Sequence, residues 1–483
     1  MVVRCKSIDL ILFICALLAS KPINAQRSGE CCQEYCYDLD NERPQSAHFA
    51  SKTSYLIVKG PETGRQYLVP NCNPTKIWIF ARHGTRLPEG ERMQSLSQLE
   101  DLRDEIIANY EKRHSKPAIG AMCENDLDLL KRWHWNQNIT AQYAAFLTVQ
   151  GWEELKFMAI RYQRVFPNIL ENIYDKNKFL FRYTNTQRTE ASYKAFVEGL
   201  FGPNAHEHIQ VQPPPTNDTL LRPYDYCAPH DMSKSKGDGT EYKKFVKSQT
   251  MTQLVSDVSS RLGYKYPLKL QQVMDMFEMC RFDQAWNIGS PSAWCAAFTP
   301  TQIDDLEYLE DLQKYYKSSY GRELNSRIQC AAVNDMLHHL ETNNLPKTVA
   351  YFTHSKAIVL LLTALRFFKD SDSLRADNYY SMSQRKWRSS YILPFASNLV
   401  AIKYDCPNDM ERDKVMFFLN EKPITDLDWC KVGLCNLADV KERYKKFTQA
   451  NCDEYYCTDS GASSILASII LPLIAMILHK LAA

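Results

Sequence analysis

Three times along this chain an apolar run gives way to a polar loop and then to a helix-forming segment, and that repetition restricts the folds open to it. The first is "KIWIFARHGTRLPEG" (Lys76–Gly90), with a strand at Ile77–Ala81. A helix is expected in "MQSLSQLEDLRDEIIANYEKR", where Leu96, Leu99, Leu102, Ile106 and Ile107 fall on one face. The second is "KFLFRYTNTQRTEASYKAFVEGLF" (Lys178–Phe201), with a strand near Phe179–Tyr183 and a helix from about Thr189. The third is "KTVAYFTHSKAIVLLL" (Lys347–Leu362), with its strand at Thr348–Phe352. "NLVAIKY" (Asn398–Tyr404) and "KVMFFLN" (Lys414–Asn420) read as further strands. Strands separated by helices imply an α/β fold on a parallel sheet.

Between Pro213 and about Ser326 the pattern turns almost wholly helical, as in "LQQVMDMFEMC" and "IDDLEYLEDLQKYYKSSYG". This predicts a second, mainly helical domain inserted over about 213–325, with 116–145 a candidate addition. The α/β core then takes about 70–115, 146–210 and 326–425. The proline-rich "QVQPPPTND" marks the boundary.

In an open parallel sheet, sites form outside the carboxyl ends of the strands. The three loops there carry Arg82, His83 and Arg86, then Arg188, then His354. Taken singly, an arginine at a strand end is commonly solvated and a lone histidine is usually structural. Together on adjacent strands they put five basic groups in one crevice. Guanidinium forks match phosphate oxygens bidentately, and a helix N-terminus beyond each loop adds donors. A neutral imidazole can attack phosphorus and carry a covalent phosphoryl group. Gly84 is expected to let the backbone bend close to the ligand. Such a cluster calls for no metal and no cofactor, because its cations already neutralise a phosphate.

The rest of the composition keeps that basic site local. A formal net charge of +2 over 483 residues gives no reason to expect a nucleic-acid partner. The N-terminal "MVVRCKSIDLILFICALLASKPINA" reads as a secretory signal peptide over residues 1–25. Its removal takes Cys5 and Cys15 and leaves 14 of the 16 cysteines, an even number that suggests disulfides. The close pairs Cys280/Cys295, Cys430/Cys435 and Cys452/Cys457 are candidates, and Cys31, Cys32 and Cys36 offer a weak zinc alternative. Asn138 and Asn217 head glycosylation acceptors. After the 26–459 region, small Ser460–Gly461–Ala462 and the apolar run to Ala483 form the pattern of a GPI-anchor signal; a short tail anchor is the alternative. The expected location is the secretory pathway and the outer face of the plasma membrane, held by a lipid anchor, or the medium.

The string Arg82-His83-Gly84-Thr85-Arg86-Leu87-Pro88 matches the signature Arg-His-Gly-x-Arg-x-Pro, and through it the chain resembles the histidine acid phosphatases. Within them it is similar to the animal multiple inositol polyphosphate phosphatases, also in "CRFDQAWNIGSPSAWCAAFT", "PFASNLVAIKY" and "FFLNEK", from about Cys72 to Lys422. The resemblance implies an α/β domain with a mainly helical second domain. It makes His83 the nucleophile, with Arg82, Arg86, Arg188 and His354 holding the phosphate of an inositol polyphosphate or another phosphomonoester. Arg222 and Lys194 are further candidates for a polyphosphate. A phosphoglycerate mutase relative shares the Arg-His-Gly start, and the signal sequence and glycosylation acceptors argue against it.

One position departs from that resemblance. The family places a proton donor after the second histidine, as His-Asp or His-Ala-Glu; here the residues are His354-Ser355-Lys356. A positioned general acid contributes about 10²–10⁴-fold, while charge stabilisation and positioning carry most of phosphoryl transfer. Loss of the donor therefore implies a slow phosphatase. The alternative is a weak or inactive inositol phosphate-binding surface protein. Lys356 either replaces the acid, or binds a substrate phosphate, or points to solvent; a carboxylate from elsewhere or a substrate phosphate is a further proton source.

Overall fold

The computed structural model describes residues 35–62, 64–112, 120–230 and 239–457. The expected signal peptide, Cys31, Cys32 and the expected anchor signal lie outside the described residues. Seven strands form one sheet: β1 (Asn73–Arg82), β2 (Phe179–Tyr183), β3 (Thr348–Thr353), β4 (Asn398–Asp405), β5 (Asp413–Leu419), β6 (Lys422–Pro423) and β7 (Leu434–Asn436). Their order is β2-β3-β1-β4-β5-β6, with β7 paired to β5. The α/β class stands, and β2, β3 and β1 are parallel as expected. β4 and β5 run antiparallel, so the sheet is mixed.

β3, β4 and most of β1 are buried because both faces of the sheet are covered there. In β1, Ile77, Ile79 and Ala81 pack on one side with Leu155 and Met158 of helix Val149–Val165 and with Phe196 of helix Gln187–Phe201. Trp78 and Phe80 pack on the other side with helices Cys330–Glu341 and Ser355–Leu365. That second cluster runs on without a break into the helices Leu270–Trp286 and Pro300–Ser318. The helical region thus shares a core with the sheet. The segment after the first loop folds as two helices, Gly90–Ser97 and Leu99–Glu111, whose Met93, Leu96, Leu99, Leu102 and Ile106 join the same helical core.

Six disulfides pair every described cysteine. Cys280–Cys295 and Cys430–Cys435 are bonded as their spacing suggested. Cys452 and Cys457 are not bonded to each other: they reach Cys330 and Cys227, so the C-terminal helix is fastened to two separate parts of the fold. Both sit in or just beyond the short helix Cys452–Tyr455, whose geometry sends each toward a different neighbour. Cys36 is bonded to Cys123, which removes it from any zinc site. Cys72–Cys406 ties the start of β1 to the end of its antiparallel neighbour β4. Among the described residues no helix is long and apolar enough to cross a membrane.

Peptide mapping of unreduced protein is expected to recover Cys452 with Cys330 and Cys457 with Cys227. A peptide holding a Cys452–Cys457 bond would contradict this arrangement.

Candidate active site

Register brings the three loops together. Arg82 at the end of β1 pairs with Thr353 of β3, and Tyr183 at the end of β2 pairs with Phe352. The three strands end level, and the rings of His83 and His354 come to 5.7 Å between centroids. Arg82, His83, Arg86, Arg188 and His354 all enter one electrostatic neighbourhood, since each arginine acts on the histidines.

Nδ1 of His83 lies 2.8 Å from the carbonyl oxygen of Gly84. A carbonyl only accepts, so Nδ1 carries the proton and Nε2 keeps its lone pair. Burial, followed by Arg82 and Arg188, holds the His83 pKa well below its usual value. The ring is therefore neutral across the physiological range, with a free lone pair on Nε2. His354 is also held well below its usual value, by burial and then by Arg188 and Arg222. Its Nε2 stands 2.9 Å from the Thr184 hydroxyl, and Arg188 Nη2 lies 3.4 Å from its Nδ1. The Thr184 hydroxyl both donates and accepts, so an anion that draws the proton to Nδ1 requires only that hydroxyl to turn.

Arg82 is buried, and its Nη1 donates to the carbonyls of Ser51, Leu393 and Pro394 at 2.6, 2.8 and 2.9 Å. The ring of Phe395 lies 4.6 Å from the guanidinium carbon. Burial and then Arg86 lower its pKa to about 9, and the same two causes bring Arg188 to about 10. Both stay charged at neutral pH. The Nε atoms of Arg82 and Arg188 are buried without a hydrogen-bond partner. Buried donors left over in this way suit an arriving anion. Arg86 is fixed from the helical side: it donates to Leu87 O at 2.8 Å and pairs with Glu89 at 3.2 Å, while Trp286 Nε1 donates to its carbonyl at 3.1 Å.

Several supports were not visible as such in the sequence. A Cβ on Gly84 would meet the Gly151 carbonyl at 2.3 Å, so Gly84 serves the close packing of the loop on helix Val149–Val165, a demand beyond the expected approach to the ligand. Glu154 of that helix accepts from the Thr85 amide at 2.8 Å and its hydroxyl at 2.7 Å. The loop before β4 closes the pocket from the other side. Ala396, at φ 53°, donates its amide to His83 O at 3.1 Å, and the Phe395 ring faces His83. Lys52 lies 5.2 Å from the centre of the Phe282 ring, over which Arg86 also lies, and pairs with Glu278 at 3.1 Å; burial and Arg281 lower its pKa to about 8.

The remaining sequence candidates divide. Arg222 bears on His354 and Arg188 and pairs with Asp225 at 2.5 Å. Lys194 instead pairs with Glu190 one turn earlier, at 2.8 Å. Lys356 is half-buried, its ammonium 4.5 Å from the centre of the Tyr224 ring, which replaces the solvent-facing alternative. Asn138 and Asn217 are exposed.

Residues 75–420 match the model of the histidine phosphatase superfamily, branch 2. The chain belongs to this family. It is 46% identical over 454 residues to a Drosophila melanogaster multiple inositol polyphosphate phosphatase 1, covering 92% of this chain and 96% of that one. The fold is shared with a phytase from D. castellii, at a TM-score of 0.66 and 16% identity over 85% of this chain and 87% of that one. It is also shared with a Bifidobacterium longum multiple inositol polyphosphate phosphatase in complex with inositol hexasulfate, at a TM-score of 0.61 and 12% identity over 85% and 99% of the two chains.

Burial pushes Glu154 up to about 7, although the bonds from Thr85 act the other way. Its unfolded value is about 4.3. Between those values the folded chain holds a proton that the unfolded chain has lost, so stability falls as pH rises through the window. From about pH 5 to about pH 7.5, denaturant unfolding is expected to show wild type losing about 2 kcal/mol more than Glu154→Gln. Equal losses in the two proteins would remove Glu154 as the source.

Proposed function

We propose that this chain is an inositol polyphosphate phosphatase that works through a phosphohistidine on His83. The observation that carries the reading is the His83 imidazole, deprotonated at Nε2 by its bond to Gly84 O and ringed by guanidinium groups. The substrate class is supported by the names of the relatives matched along nearly the whole chain.

Nε2 of His83 attacks phosphorus, and the bond from phosphorus to the inositol oxygen breaks with its electron pair going to that oxygen. Arg82, Arg86, Arg188 and His354 hold the three peripheral oxygens and spread the charge that develops there. The leaving oxygen takes a proton. Water then attacks the phosphohistidine, releasing inorganic phosphate and the neutral imidazole. Ser355 and Lys356 supply no carboxylate to the first step, so turnover on an inositol alkoxide is attenuated relative to an ester whose leaving group needs little protonation. The sequence features at the two ends support an exported glycoprotein, modified at Asn138 and Asn217 and held at the outer surface by a GPI anchor.

Phosphate release by purified protein, from phytate and from an aryl phosphate over acid to neutral pH, is the direct test. Release from both is expected, with kcat on the aryl ester higher by up to about 10²-fold. His83→Ala is expected to abolish release and any acid-labile phosphoryl label; a label that persists in this variant would displace His83 as nucleophile. Release from neither substrate by folded protein would leave a binding protein.

A further inference from the structure

The clamp on His83 does not end at Ala396. The Ala396 amide donates to the His83 carbonyl at 3.1 Å from a left-handed backbone, φ 53°. A residue with a side chain stays in that conformation only when its surroundings hold it there. The Ala396 carbonyl accepts from Nδ2 of Asn398 at 3.0 Å. Asn398 is the first residue of β4 and is buried. Its Nδ2 also donates to the Tyr55 hydroxyl at 2.9 Å, and its Oδ1 accepts from the Tyr162 hydroxyl at 3.0 Å. Its backbone amide and carbonyl are both bonded to Asn420, at 3.1 and 3.0 Å.

This string of bonds has a direction. Arg161 grips Glu421 through Nε and Nη2 at 2.9 and 2.7 Å, and the same carboxylate accepts from the Tyr55 hydroxyl at 2.6 Å. With its proton given to Glu421, the Tyr55 oxygen accepts from Asn398. That decides which end of the Asn398 amide is which: the nitrogen serves Tyr55 and Ala396, and the oxygen serves Tyr162. An amide turned over would set its oxygen against the Ala396 carbonyl. Tyr55, Tyr162 and Glu421 are all buried, so a broken link leaves a polar group without water to replace it. Arg161 belongs to helix Val149–Val165, whose Gly151 and Glu154 hold Gly84 and Thr85. One helix therefore reaches the Arg-His-Gly loop by two routes, directly and through Glu421, Tyr55, Asn398 and Ala396.

We propose that Asn398 is a positioning residue for the nucleophile: its side-chain amide, oriented by Tyr55 and Glu421, keeps Ala396 left-handed and so holds the His83 backbone where Nε2 attacks phosphorus in line. The side-chain bonds of Asn398 go to Tyr55, Tyr162 and Ala396, so its effect on the chemistry passes through the His83 carbonyl. The Arg82 guanidinium is held separately, by the carbonyls of Ser51, Leu393 and Pro394. Loss of Asn398 thus bears on attack more than on phosphate binding.

The inference rests on the phosphohistidine reading, and vanadate separates the two. Vanadate accepts a fifth ligand and bonds to a nucleophilic nitrogen as the transferring phosphoryl group does, whereas inorganic phosphate reports the guanidinium groups. Both are titrated calorimetrically into wild type, Asn398→Leu, Tyr55→Phe, and Asn398→Leu combined with Ala396→Gly. Wild type is expected to bind vanadate about 10²-fold or more tighter than phosphate. Asn398→Leu is expected to lose most of that margin, with kcat on the aryl ester down about 10²-fold and KM near wild type. Tyr55→Phe, which deletes one hydroxyl and serves alone if Asn398→Leu fails to fold, is expected to lose about tenfold in both margin and kcat. Adding Ala396→Gly is expected to restore part of what Asn398→Leu loses, because glycine takes a positive φ unaided. A residue that only supported the fold would gain nothing from a second change that loosens the chain, so a loss that Ala396→Gly does not relieve would overturn the route through Ala396. An unchanged margin in both single variants would overturn the positioning role and leave His83 as nucleophile. A wild type that binds vanadate no tighter than phosphate would overturn both.

Discussion

The buried guanidinium of Arg82 is the constraint around which the rest is arranged. Its bonds go to three backbone carbonyls and its face to the Phe395 ring, so it is held in place while its charge is left largely standing. Holding a cation with carbonyl dipoles costs desolvation that a salt bridge would partly return. It also leaves a field that an anion completes. Burial first, and then the same field, hold the His83 pKa well below its usual value and so favour the nucleophilic form. The three carbonyls come from two chain segments far apart in sequence, at Ser51 and at Leu393–Pro394. The pocket forms only when the whole fold has closed around it.

Closure depends on the directions of the strands. β2, β3 and β1 deliver residues that follow a strand, which is the ordinary way a parallel sheet builds a site. β4 runs the other way beside β1. Its beginning therefore lies where the others end, and the residues that precede it enter the same pocket. Ser397 accepts from the Arg82 amide at 2.7 Å and Ala396 donates to the carbonyl of His83. Ala396 occupies a left-handed conformation that a residue with a side chain adopts at a cost, and it lies at the centre of the site.

These directions explain what was legible in the sequence. The three parallel strands, their loops and the five basic residues were readable because apolar runs, loop chemistry and the Arg-His-Gly string are local. Phe395 and Ala396 were passed over because a parallel sheet was assumed, and only residues after strands were searched. The packing demand on Gly84 is hidden for a similar reason. The need for a bare Cα comes from Gly151, a residue on another element, and spacing carries no such information. Glu154 and Lys52 look like ordinary surface charges in sequence, and only packing turns one into a buried support for Thr85 and sets the other over the Phe282 ring. The Cys452 and Cys457 partners were hidden for the same reason, since both bonds span long stretches of chain.

The electrostatics also decide where pH enters the proposed reaction. Burial, and then the surrounding arginines, hold both histidines well below their usual value, and Arg82 and Arg188 stay charged at neutral pH. Besides Glu154, held up to about 7 by burial under the Arg-His-Gly loop, the phosphate ester titrates, with its second ionisation at about 6. As a monoanion it brings its own proton, and as a dianion it binds the guanidinium groups more strongly. A chain with a carboxylate after its second histidine has a proton to give in either case. With Ser355 and Lys356 at those positions, the proton on the substrate gains weight in the first step. Acid pH then acts on this site through the substrate's own proton as well as through Glu154 beneath the loop.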